Sequence, residues 1–181
     1  MKKYTWLLLA LLNCCLFTTC YSQKNLKIVV IRHGEKPDDG DNLNCQGLNR
    51  SLALPRVLYN KFGVASYLFV PVISGGKKTK SGRMFQTITP YAIKYNLPIN
   101  SNYDEDDYKN VTEDVYNRKG TVIMVWEHNN IARLAKAFGV KEDMDWPAGD
   151  FDSIWIITYK KGQAILTRDK EGLTPSTNCP F

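Results

Sequence analysis

Apolar and polar positions alternate in blocks along this chain. LKIVVI at 26–31 and TVIMVW at 121–126 are almost unbroken apolar runs, and such runs predict strands buried on both faces. SYLFVPVIS at 66–74 predicts a further strand, SGGKKTKSG at 74–82 a loop, and LPI at 97–99 a short extended piece. Apolar residues recur at helical spacing in GLNRSLALPRVLYNKFG (47–63), where Gly63 is a stop signal and Pro55 should kink or divide the helix. RMFQTITPYAIKYN (83–96) reads as helical, with Pro90 its weak point. YDEDDYKNVTEDVYN (103–117) predicts an acidic, solvent-facing helix, and NNIARLAKAFG (129–139) a helix ending in glycine. SIWIITY (153–159) and QAILT (163–167) predict a terminal hairpin turned at Lys161-Gly162. EGLTPSTNCPF closes the chain as a tail.

Strands that alternate with helices predict an α/β three-layer sandwich, with a mainly parallel central sheet flanked by helices. The pattern implies a single domain over 23–181, with its regular elements between about 24 and 168. No internal repeat is visible. The runs 26–31 and 121–126 are expected to be adjacent and parallel, since both lead into polar, chemically capable residues.

The first 22 residues stand apart. MKKYTWLLLALLNCCLFTTCYS has a basic start, a short interrupted apolar run and a small, polar end, which predicts a secretory signal peptide rather than a membrane span. Cleavage after Ser22 would export the chain to a periplasm or medium. Lipoprotein processing at Cys20 is the rival, although Thr19 fits a lipobox poorly, and a retained anchor is the third option. Removing Lys2 and Lys3 from a net charge of +6 leaves +4. That surplus is too small and too scattered for a nucleic-acid surface. Of five cysteines only Cys45 and Cys179 remain. They either pair, pinning the tail across a loop of more than a hundred residues, or stay two unrelated thiols.

Ligands gather at the carboxyl ends of parallel strands. Arg32-His33-Gly34-Glu35 follows the first strand, and Glu127-His128-Asn129 follows TVIMVW; these are the chain's only two histidines. Arginine beside histidine repels a metal ion but suits an anion. A guanidinium binds two phosphoryl oxygens at once, and a neighbouring imidazole can attack phosphorus. Gly34 permits close approach of the backbone. Taken singly, each of these residues has a plainer reading, as a satisfied strand-end histidine or a surface helix charge.

VVIRHGEKP resembles the signature of the histidine phosphatase superfamily, branch 1, the phosphoglycerate mutase-like family. LNCQGLNRSLALPRVL (43–58) is similar to that family's stretch with glycine at the start of the first helix. Ser81-Gly82-Arg83 with Gln86-Thr87 is similar to its second-arginine motif, and GTVIMVWEHNNIARLAKAFG (120–139) to its second-histidine motif. The resemblance covers most of 26–139. It implies a phosphatase in which His33 becomes phosphohistidine, Arg32 and Arg83 grip the phosphoryl oxygens, and His128 supports the transferring group. It implies no metal or cofactor, and a small phosphorylated substrate, either an ester or a phosphoramidate.

The acid that would protonate the leaving group is not singled out. Glu105 lies among Asp104–Asp107, a cluster that also suits a solvated helix start, and Glu127 adjoins His128 as a partner or a donor. Glu35 could support the pocket or face solvent. Only 44 residues separate Arg83 from His128, too few for the insertions of mutase-type members. A non-catalytic phosphate binder on the same fold is the remaining alternative.

Overall fold

The computed structural model describes residues 25–73 and 81–179. The expected signal peptide with Cys20, and the lysines of the 74–80 loop, lie outside the described residues. Among the described residues no helix is long and apolar enough to cross a membrane.

Strand β1 (Leu26–Arg32) leads into helix α1 (Cys45–Phe62), then β2 (Tyr67–Pro71), α2 (Gly82–Tyr95), β3 (Ile99–Tyr103) and α3 (Tyr108–Tyr116). β4 (Gly120–Trp126), α4 (His128–Ala137), β5 (Ser153–Lys160) and β6 (Gln163–Lys170) follow. The sheet runs β3-β2-β4-β1-β5-β6. Its first four strands are parallel, and β5 and β6 are antiparallel additions at one side. The fold is thus the expected α/β sandwich. β1 and β4 are paired in parallel, with Leu26 opposite Gly120 and Arg32 opposite Trp126.

The period of two along each strand divides the core between the two faces. Ile28 and Val30 of β1, with Val122, Met124 and Trp126 of β4, pack under α3 and α4. Val29, Ile31, Ile123 and Val125 point to the other face and meet Leu54 and Leu58 of α1 and Met84 and Ile88 of α2. Each of these side chains is essentially inaccessible. Burial of this kind contributes about 1.5–3 kcal/mol per side chain relative to exposure, which is why the two central strands read as continuous apolar runs.

Some boundaries differ from the sequence reading. The predicted helix over 103–117 begins at Tyr108, because Asp107 caps it by accepting from the Asn110 amide at 3.3 Å. The acidic residues before it form a loop, and Tyr103 belongs to β3. Both proline-containing helices run through Pro55 and Pro90. Asn44 caps α1 through the Gly47 amide. β6 extends to Lys170, three residues beyond the expected end of the hairpin.

The connections also matter. α1 carries the chain away from β1 over one face, while α4 carries it away from β4 over the other. Neighbouring strands whose connections depart to opposite faces open a crevice at their carboxyl ends.

Candidate active site

Arg32, the last residue of β1, and His33 beyond it stand at that crevice. The His33 amide donates to Trp126 O at 3.2 Å, which keeps His33 level with the end of β4. Glu127 and His128 follow immediately, where β4 turns into α4.

The imidazole of His33 is 1% exposed. Its Nδ1 lies 2.7 Å from Gly34 O, and a carbonyl only accepts, so Nδ1 carries the proton and Nε2 keeps the lone pair. Burial is the main cause that lowers its pKa to about 4, against the Gly34 hydrogen bond and with help from the charges of Arg32, Arg83 and His128. At neutral pH the ring is therefore an uncharged base with a fixed tautomer.

Arg32 is 2% exposed. Its guanidinium lies over the Phe151 ring at 3.8 Å and donates through Nη1 to Ala148 O and, at 3.3 Å, to Asp150 O. Its Nε is buried without a partner, a donor still available to an anion. Phe151 also lies edge-on to His33, with ring centroids 6.2 Å apart. The 148–151 segment thus covers both His33 and Arg32, which are buried.

Arg83 sits in the first turn of α2 and donates to Gly40 O at 3.1 Å. It lines a cleft of about 670 Å³ together with Ser81, Glu105, Glu127 and Asn129. Glu127 has two tasks. It caps α4, its Oε2 accepting from the Asn129 amide at 2.7 Å, and its Oε1 lies against His128 Nδ1, which has no hydrogen-bond partner. Glu105 faces the same cleft, and its backbone is fixed by the Trp126 indole, which donates to Glu105 O at 2.8 Å. Burial, then the charges of Glu127 and Asp106, push the Glu105 carboxyl above its ordinary range.

Glu35 is elsewhere. It faces neither solvent nor the cleft. Its carboxylate is buried against Arg50 of α1, which donates from Nε at 2.9 Å and from Nη2 at 2.7 Å. Arg50 also reaches Glu171, which follows β6. Sequence reasoning singled out neither Arg50 nor Glu171, because a helix arginine ordinarily reads as a surface charge.

Two glycines bring these parts together. A Cβ on Gly34 would stand 3.0 Å from the Gly47 backbone, and one on Gly47 would stand 2.3 Å from Glu35 O. The start of α1 therefore lies directly on the backbone of the residues that carry the imidazole. The Gly34 amide in turn donates to Thr87 Oγ1 at 2.9 Å, linking the same loop to α2. Gly47→Ala is expected to destabilise the fold by about 3 kcal/mol, because backbone rather than a movable side chain would meet the new methyl. Urea unfolding checks this.

Cys45 and Cys179 are disulfide-bonded, with Cα atoms 4.7 Å apart. Among the described residues no group of three or more His, Cys, Asp or Glu side chains is placed to hold a metal ion.

No family model and no curated protein matches the sequence. Solved structures do. The protein histidine phosphatase SixA in complex with tungstate superposes with a TM-score of 0.61 at 15% identity, over 80% of this chain and 97% of that one. A mycobacterial glucosyl-3-phosphoglycerate phosphatase with inorganic phosphate does so with a TM-score of 0.55 at 12% identity, over 79% and 95%. At such identities the likeness concerns architecture, and it agrees with the resemblance carried by the residues around His33, Arg83 and His128. The chain has the fold of the histidine phosphatases.

Proposed function

We propose that the chain is an exported phosphatase that hydrolyses a small phosphate ester or phosphoramidate through a phosphohistidine on His33. The observation that carries this reading is the His33 imidazole: neutral, held in one tautomer by Gly34 O, and near enough to Arg32, Arg83 and His128 for each to lower its basicity. Nε2 attacks phosphorus as the bond to the leaving group breaks. Arg32, Arg83 and His128 hold the phosphoryl oxygens, whose charge grows in the transition state. Glu105 gives its proton to the leaving oxygen or nitrogen. Water then attacks the phosphohistidine, its proton passes to Glu105, and orthophosphate leaves with His33 restored. Glu105 suits this exchange because it faces the cleft with its carboxyl held above its ordinary range, while Glu127 is occupied with the α4 amide and His128. Export is supported by the leader-like residues 1–22 and by the Cys45–Cys179 bond, which suits an oxidising compartment.

Incubation with 4-nitrophenyl phosphate, followed by quenching in base and phosphorus NMR, tests the reading. Release of nitrophenolate with a base-stable, acid-labile phosphohistidine is the expected result. Tight orthophosphate binding without release would instead identify a binder on this fold.

A further inference from the structure

One buried guanidinium ties the two halves of the phosphate pocket together. Arg50 is 3% exposed and lies three residues past Gly47, the glycine against which the Glu35 backbone packs. Its Nε and Nη2 hold Glu35 from two sides, and its Nη1 meets the Glu171 carboxylate and lies 3.9 Å from Asp152 Oδ1.

Each partner leads to the site by a short route. The Gly34 carbonyl that fixes the His33 tautomer is in the same peptide unit as the Glu35 amide, so a locked Glu35 limits rotation of that carbonyl. Asp152 adjoins Phe151, the ring beneath the Arg32 guanidinium, and the Asp150 carbonyl accepts from Arg32. The Glu171 amide donates to Asp152 O at 2.6 Å, and the Leu173 amide to Asp152 Oδ1 at 3.1 Å. Arg50 thus grips the loop that aims the nucleophile and the segment that seats the phosphate-binding arginine.

Stability is a weak reason for such a cluster, since buried ion pairs are commonly replaced by apolar groups at little cost. Glu171 Oε1 is even left without a partner, and burial pushes this carboxyl up to about 7. The arrangement is better explained by what it orients.

We propose that Arg50 is a positioning residue that, through Glu35 on one side and Glu171 with Asp152 on the other, sets the imidazole of His33 and the guanidinium of Arg32. The kinetic part rests on the phosphatase reading; the spectroscopic part does not. The chain has only two histidines, so nitrogen-15 imidazole spectra resolve His33 directly, with His128→Gln for assignment.

Arg50→Lys keeps the charge but loses the fork, and Glu35→Ala removes its grip on the loop. In each, the His33 signals are expected to leave the pattern of a single Nδ1-protonated tautomer. With 4-nitrophenyl phosphate, kcat should fall about 10- to 100-fold while KM changes far less. Glu35→Gln, which still offers Arg50 an acceptor, should restore most of both readouts. A folded Arg50→Lys or Glu35→Ala protein with the wild-type tautomer pattern would overturn the proposal. If Arg50→Lys does not fold, Glu35→Ala decides. If the wild type itself shows no turnover, the phosphatase reading falls, and the spectra still decide whether Arg50 positions His33.

Discussion

His33→Ala is expected to lower kcat on 4-nitrophenyl phosphate by at least about ten-thousandfold, the scale seen when a covalent nucleophile is removed, and to abolish the phosphoenzyme. The far-ultraviolet circular dichroism should not change. His33 is buried at the end of β1 beneath Phe151, but it belongs to neither apolar cluster, so truncating it empties a polar site rather than the core. Undiminished turnover in this variant would assign the chemistry to another group.

On the phosphohistidine reading the same side chain sets the acid limit of activity. The form able to attack would be the neutral imidazole, and the folded pKa lies at about 4, below the ordinary 6.5. Turnover should stay flat as pH falls through 6 and collapse only near 4, when Nε2 takes up a proton. The sign for stability is the same. A depressed histidine contributes stability that is present above pH 6.5 and lost as pH falls through about 4. A kcat/KM profile with its acid limb near 6.5 would show that burial does not hold the ring neutral.

The second large effect concerns the covalent tie. Cys45 and Cys179 are separated by 134 positions, and closing a loop of that length stabilises a fold by up to about 5 kcal/mol, through the entropy denied to the unfolded chain. The double substitution Cys45→Ser with Cys179→Ser is expected to lose most of that, measured as a drop in the urea midpoint with a steeper slope, because the unfolded chain freed of the bond exposes more surface. The loss should appear first in the strap after β6, which is otherwise held by Glu171 on Arg50 and by Asn49 donating to Ser176 O and Asn178 O at 2.9 and 2.7 Å. Equal stability with and without the bond would mean that these contacts alone secure the strap.

Much of the architecture was legible because the central strands bury both faces. LKIVVI and TVIMVW carry almost no polar residue, and their parallel pairing brings the segments that carry the two histidines to the same end of the sheet. The edges were harder to read. β3 is INSNY, a polar strand with no buried residue, and nothing in its period separates it from the acidic loop that follows. β6 is half-exposed throughout, so its last residues resemble tail. At the site, the strand-end residues were visible from position and chemistry, and Arg83 from its surrounding motif. Arg50 was not. Its meaning depends on Glu35, 15 positions away, and on Glu171, 121 positions away, and no local pattern announces a pairing of that span. Glu35 stayed open between two readings for the same reason: its partner lies on the helix whose glycine covers it.

The Cys45–Cys179 bond also decides the covalent topology. It makes a closed ring of everything from the start of α1 to the tail, and β1 lies outside that ring while running between two strands within it, β4 and β5. The molecule is a loop of chain with the strand that leads into His33 held between two of its spans. A single protease cut between 46 and 178 opens the ring without releasing any fragment. A cut in the exposed stretch Asp38–Asn42 does the opposite, leaving the ring whole and severing from it the strand that carries His33.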